Sequence, residues 1–215
     1  MAPGNVTQMP PRGRYMAHEA GLLAGVSGHT MGQWARRGYI KSSVRSHAPR
    51  IYSYQDIAEA MVVHDLLDRD VPHLQIKRAI LRMHDYGDWP LTNAPLAVAQ
   101  GRVYGIDGDR TYDVGDKGWQ QVVTPENLEL IANQLRRGGW VVRMLPDLEH
   151  IEVDPDRLSG RPTIKGRRVP AAKVAALAGT PQGVEILHED YELADVEIAD
   201  AKRWWDKVTE LSQAA

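Results

Sequence analysis

Apolar residues recur at intervals of three and four through the first third of the chain. In MAHEAGLLAGVSGHTMGQWARRGYI, a helix from His18 to Ala24 places Ala20, Leu23 and Ala24 on one face. Gly25 and Val26 supply a tight turn, and Ser27 stands where a helix needs a side-chain cap. A second helix is predicted to run to Arg37, with Met31, Trp34 and Ala35 in phase and Gly38 as its stop. Two short helices across so short a turn form a helix-turn-helix pattern. Beyond it, Tyr39–Lys41 and Arg50–Ser53 are β-prone runs around the polar SSVRSHAP, as a two-stranded wing would be written. A helix capped near Ser53 then turns Ile57, Met61, Val63, His64 and Leu67 inward. Another, from about Leu74 to His84, aligns Ile76, Ala79, Ile80 and Met83.

The period changes at GDWPLTNAP. Residues 96–123 are short alternating runs split by glycine turns, with Asp107-Gly108 closing a hairpin between VYGI and TYDV. Thr124-Pro125 predicts a helix with Leu128, Ile131 and Leu135 on one face before Gly138-Gly139; WVVRML and HIEV read as strands. Helical spacing then returns. Ala171–Ala178 ends at Gly179, Thr180-Pro181 opens a helix with Val184 and Leu187 inward, and a third starts near Asp195. Its apolar seam is Ile198, Ala201, Trp204, Val208 and Leu211, so Trp205 faces another surface.

The expected fold is mainly α with small β elements. It comprises a winged helix-turn-helix, a small α/β middle unit and a C-terminal three-helix, homeodomain-like bundle. The expected boundaries are a flexible tail over 1–13, the winged unit over 14–88, the middle unit over 89–148 and the bundle over 149–215.

Composition narrows the classes. Of 215 residues, 43% are hydrophobic and 25% charged, enough apolar content for a packed core. The chain has no apolar run of bilayer length, and MAPGNVTQMPPRGRY lacks the apolar centre of a secretion signal. Cysteine is absent, so disulfides, thiolate metal sites and cysteine nucleophiles are excluded, and a cytoplasmic address is expected. The net charge of −2 conceals segregated blocks. Between Pro10 and Tyr54 there are seven Lys/Arg against one acid; from Arg157 to Lys173 there are six and none. From Glu185 to Asp200 the balance inverts, with seven acids and no Lys or Arg. Two basic blocks point to polyanionic partners.

AGVSGHTMGQWARRGYI followed by RIYSYQDI resembles the winged helix-turn-helix of MerR-type transcription regulators, over roughly Arg14 to Tyr86. The resemblance implies a second helix lying in the DNA major groove and a wing touching the backbone. It departs from the family after Tyr86, where the chain breaks at GDWPLTNAP instead of continuing into a long dimerisation helix. On this basis His29, Thr30, Gln33 and Arg36 are expected to read base edges. Arg37, Lys41, Arg45, Arg50 and Tyr52 are expected along the phosphate backbone.

From His150 onward, Ile151, Asp154, Pro155, Gly160, Pro162, Ile164, Gly166, Arg168 and Pro170 resemble the motif of the domain-of-unknown-function family 433, described as antitoxins of VapB type. Arg167 stands where that family prefers threonine, and Ala194 where a capping threonine is usual. The resemblance implies a partner: a PIN-like ribonuclease toxin encoded alongside, whose site clusters carboxylates around divalent metal. Arg157, Arg161, Lys165, Arg167 and Arg168, with Trp205, are the residues expected to meet it. Two other readings stay open. Arg161 or Arg168 could pair with Asp154, Asp156 or the acidic block of the same domain, or the trihelical unit could itself touch DNA.

Catalytic motifs fail on inspection. GVSGH misses the nucleophile elbow. His18-Glu19 and His188-Glu189 lack the second histidine of a zincin, and Lys165-Gly166-Arg167 lacks the order and hydroxyl of a phosphate-binding loop. Asp107, Asp109, Asp113 and Asp116 match a calcium loop only loosely. No enzyme, metal or cofactor is expected. The reading is an antitoxin of a type II toxin–antitoxin system that represses its own operon, as a homodimer or a toxin–antitoxin hetero-oligomer. The alternatives are a MerR-like regulator that senses a small molecule, and an architectural DNA binder.

Overall fold

The computed structural model describes residues 10–108, 110–115, 120–122, 128–131, 143–145, 147–154 and 156–213. The chain divides into two compact units, Met1–Pro11 with Tyr15–Gly139 and Arg12–Arg14 with Trp140–Ala215. The expected tail lies mostly outside the described residues.

The first unit opens with α1 (Ala17–Ala24) and α2 (Gly28–Arg37). Ser27 caps α2 by accepting the Thr30 N–H at 3.1 Å, and Gly38 ends it in the left-handed region at φ 74°. A Cβ added at Gly28 would lie 2.8 Å from the His18 backbone, so only glycine lets the two helices approach this closely. The wing is shorter than expected. Tyr39 and Ile40 are buried and form no strand; the wing is a single antiparallel bridge, Arg45 with Ile51. Tyr52 bridges instead to Tyr15, ahead of α1, which draws the second run of the wing back into the core.

Helix α3 (Tyr54–Asp68) begins with a capping box between Ser53 and Asp56. Every residue from Tyr54 to Ala60 is buried, because α3 packs on both α1 and the later α5. Met61, His64 and Leu67, expected inward, are half-exposed, while Val62 and Leu66 take the core. A single amphipathic stripe does not describe a helix covered on two sides. Helix α4 (His73–Arg82) buries Ile76 and Ala79, and a 3₁₀ turn over His84–Tyr86 leads to α5 (Pro90–Asn93).

A five-stranded antiparallel sheet follows. Its strands are β1 (Leu96–Ala99), β2 (Arg102–Asp107), β3 (Arg110–Asp113), β4 (Gln120–Val122) and β5 (Glu129–Leu130), in the order β4-β3-β2-β1-β5. The expected hairpin is present, with Asp107 paired to Arg110 across Gly108. The helix expected through Leu128 and Ile131 is not: Leu130 pairs with Ala97 and Glu129 with Val98. Ile131 is buried while Leu130 is 69% exposed, the alternation of an extended chain laid against β1. The remainder of that predicted helix lies outside the described residues.

The second unit holds a three-stranded antiparallel sheet of β6 (Arg143–Leu145), β7 (Leu148–Val153) and β8 (Thr163–Ile164), ordered β6-β7-β8. Three helices complete it: α6 (Ala171–Leu177), α7 (Pro181–Glu189) and α8 (Asp195–Gln213). Thr180 caps α7 by accepting the Gly183 N–H at 3.1 Å. Helix α8 packs on α6 and β7, with Ile198, Ala201 and Trp204 buried and Trp205 45% exposed. The three-helix bundle thus carries a small sheet as one wall of its core.

Candidate nucleic-acid interface and the basic C-terminal loop

Helix α2 has two chemically distinct faces. Met31 and Trp34 are buried, which anchors the helix by apolar contact. Outward, His29 and Arg36 are exposed and Thr30 and Gln33 half-exposed. The Gln33 side-chain amide lies 2.6 Å from His29 Nε2, so the pair is held in one arrangement along the helix. The Thr30 hydroxyl sits 2.8 Å from Ser27 Oγ and is partly committed to the cap. Among the described residues, the Arg36 guanidinium makes no hydrogen bond or ion pair.

The flanking cations differ in their freedom. Arg37 is exposed and its side chain unpaired among the described residues, while its carbonyl accepts from Lys77 Nζ of α4 at 3.1 Å. Lys41 is paired with Asp88. In the wing, Arg45 donates through Nε to the Pro49 carbonyl at 2.6 Å, and Arg50 is half-exposed and makes no hydrogen bond or ion pair among the described residues. Tyr52 is the exception. It is 0% exposed, its hydroxyl is buried, and burial pushes that hydroxyl above the ordinary phenol range. Its pairing with Tyr15 turns the ring inward, so it offers nothing to a phosphate. The expectation for Tyr52 is corrected accordingly.

Sequence reading also missed a pair of buried carboxylates on α3. Asp56 and Glu59 are 0% and 2% exposed, and both carboxyls are pushed up by burial, Glu59 to about 7. The S-x-x-D capping box was visible in YSYQD; the second set of partners, some thirty residues downstream, was not.

In the second unit the basic loop divides into committed and uncommitted cations. Arg157 pairs with Glu152 and approaches Asp154 at 3.9 Å. Arg167 donates to the carbonyls of Tyr191 and Glu192 at 2.8 and 3.0 Å and lies 3.7 Å from Glu197. These two arginines are structural clips. The hairpin tip is fixed as well: Arg167 N–H donates to the Ile164 carbonyl, and Gly166 N–H donates to Glu152 Oε1 at 2.8 Å. Arg161, Lys165 and Arg168 are exposed, and their side chains have no partner among the described residues. Internal pairing therefore claims Arg157 and Arg167, not the Arg161 or Arg168 that sequence suggested.

A second latch joins β7 to α8. Asp200, 2% exposed, accepts from His150 N–H at 3.0 Å and from His150 Nδ1 at 2.9 Å, and pairs with Arg203. Burial alone would raise its carboxyl; the donors from His150 and Arg203 outweigh it and hold the carboxyl below the ordinary range. Among the described residues, no three His, Asp or Glu side chains gather as a metal would require, and no helix is long and apolar enough to cross a membrane.

Among curated proteins none matches the chain. A solved structure, the X-ray crystal structure of Rv2018 from Mycobacterium tuberculosis, is similar over 87% of this chain and 96% of that one, at 17% identity and a TM-score of 0.49. The model described as MerR HTH family regulatory protein matches residues 15–82, and the one described as Protein of unknown function (DUF433) matches residues 151–204. The first is a regulatory DNA-binding type. The chain carries a MerR-type helix-turn-helix domain and, beyond the five-stranded sheet, a DUF433 domain.

Proposed function

We propose that this protein is the antitoxin of a type II toxin–antitoxin system, which represses its own operon and neutralises a PIN-like ribonuclease toxin by direct binding. Residues 14–88 bind duplex DNA as a dimer. His29, Gln33 and Arg36 face the major groove, and Arg37, Arg45 and Arg50 meet phosphates. Residues 149–215 contact the toxin. The observation that carries the reading is the division of α2 into a buried anchor, Met31 and Trp34, and a polar outer face holding Arg36 free. A core helix would not leave such a face in solvent beside Arg50 of the wing, which makes no hydrogen bond or ion pair among the described residues.

The toxin half is supported by Arg161, Lys165 and Arg168, three cations presented by a loop whose other two arginines, Arg157 and Arg167, are tied down. A cluster of nuclease carboxylates is a natural complement to guanidinium groups offered bidentately. The test of the DNA half is a gel-shift titration on the protein's own promoter fragment. Gln33→Ala with Arg36→Ala removes two base contacts, worth about 1–3 kcal/mol of discrimination each. Preference for the promoter over unrelated duplex is expected to disappear; unchanged preference refutes the assignment.

A further inference from the structure

The wing has little backbone support of its own. One bridge closes it, with Arg45 N–H to the Ile51 carbonyl and Ile51 N–H to the Arg45 carbonyl, each 3.1 Å. Its stem is held from below by the buried carboxylate of Asp56. Oδ2 accepts from Ser53 N–H at 2.8 Å, Ser43 N–H at 2.8 Å and Ser43 Oγ at 2.7 Å. A capping box accounts for the Ser53 contact and no more. The other oxygen, Oδ1, accepts from the indole N–H of Trp89 at 2.8 Å. Trp89 is 4% exposed and lies in the segment that leads through α5 into β1.

That segment is itself fastened to α3 one turn further on. Glu59 accepts from Leu91 N–H at 3.0 Å, Thr92 N–H at 2.8 Å and the Thr92 hydroxyl at 2.6 Å. It thereby caps α5, which has no side-chain cap of its own. On the outer side Lys41 pairs with Asp88. The stem of the wing and the segment 88–92 thus share α3 as a common anchor, through carboxylates with no access to replacement water.

We propose that Trp89 is a positioning residue for DNA binding. Through Asp56 it holds Ser43, and so fixes where Arg45 and Arg50 meet phosphate. The proposal rests on the reading of α2 and the wing as the DNA surface. Removing the indole donor leaves Asp56 Oδ1 buried and unpaired, a state the carboxylate escapes by turning. Turning gives up the Ser43 contacts made by the opposite oxygen. Helix α2 is anchored separately by Met31 and Trp34, so base preference is spared.

The experiment uses the full-length protein and a duplex of its own promoter, with affinity measured against salt concentration. Each phosphate contact contributes about 0.9 to the slope of log affinity against log salt. Trp89→Phe is expected to make that slope shallower by about 1–2, for Arg45 and Arg50 together, with the promoter-to-random affinity ratio unchanged. In a background already carrying Arg45→Ala and Arg50→Ala, Trp89→Phe is expected to add nothing. An unchanged slope, or an equal loss in that background, overturns the proposal. If Trp89→Phe does not fold, Ser43→Ala loosens the same link at the wing end by removing the hydroxyl contact at 2.7 Å while the N–H contact stays; a smaller shallowing of the slope is expected there, and an unchanged slope overturns the proposal. A wild-type protein that binds no duplex at all refutes the DNA reading itself.

Discussion

Adjacent tryptophans on α8 offer a test of the second unit's packing with its own control. Trp204 is 2% exposed and lies on the seam with Ile198 and Ala201, whereas Trp205 is 45% exposed. Truncating a buried aromatic to alanine costs about 3–5 kcal/mol, because the transfer energy is lost and the cavity does not fully collapse. A unit this small has a total stability near the lower end of roughly 5–15 kcal/mol, so Trp204→Ala removes much of it. Exposed substitutions stay within about 0.5 kcal/mol, which sets the expectation for Trp205→Ala. Hydrogen exchange of the full-length chain, read on peptides from β7, α6 and α8, reports the opening of this unit directly. At about 1.4 kcal/mol per decade, Trp204→Ala should accelerate exchange there by roughly two to three and a half orders of magnitude. Trp205→Ala should accelerate it by about threefold or less. Protection in Trp204→Ala within threefold of wild type, or equal effects of the two variants, would refute the packing argument.

Two further outcomes follow from the charged groups. Arg161→Ala with Arg168→Ala is expected to weaken toxin binding by about 2–5 kcal/mol while leaving promoter binding intact. In co-expression, the wild type rescues growth against the adjacent toxin and the folded double variant does not; full rescue returns those arginines to solvent, and a neighbouring gene encoding a transporter or detoxifying enzyme would favour the sensor alternative. Glu59 gives a pH dependence with a definite sign. Burial lifts its carboxyl from 4.5 to about 7 against the pull of the Thr92 and Leu91 donors. The folded chain then keeps a proton that the unfolded chain releases, so the stability contribution is complete below about pH 4.5 and lost as pH rises through about 7, on the order of 3 kcal/mol in all. Urea melts of the first unit at about pH 5 and about pH 8 should differ by most of this, and Glu59→Gln should shrink the difference to the share of Asp56, which burial raises as well; parallel behaviour of variant and wild type would contradict it.

The amino-acid sequence determined the elements whose signals are local. Ser27 and Gly38 bracket α2, Ser53 and Thr180 cap α3 and α7, and Ile198, Ala201 and Trp204 repeat at the helical period. Caps act within one turn and periodicity within a few, so both are written in neighbouring residues. Tertiary structure decided the rest. Glu129 and Leu130 became a strand because β1 had a free edge, which outweighed a helical spacing. Tyr52 turned inward because Tyr15, far upstream in sequence, offered its backbone. Which arginines of the basic loop remain free was settled by carbonyls at Tyr191 and Glu192, twenty-four and twenty-five positions beyond Arg167. Trp89 meets Asp56 across thirty-three residues. Hydrogen bonds and ion pairs are short-ranged in space but indifferent to distance along the chain, so only the folded arrangement assigns their partners.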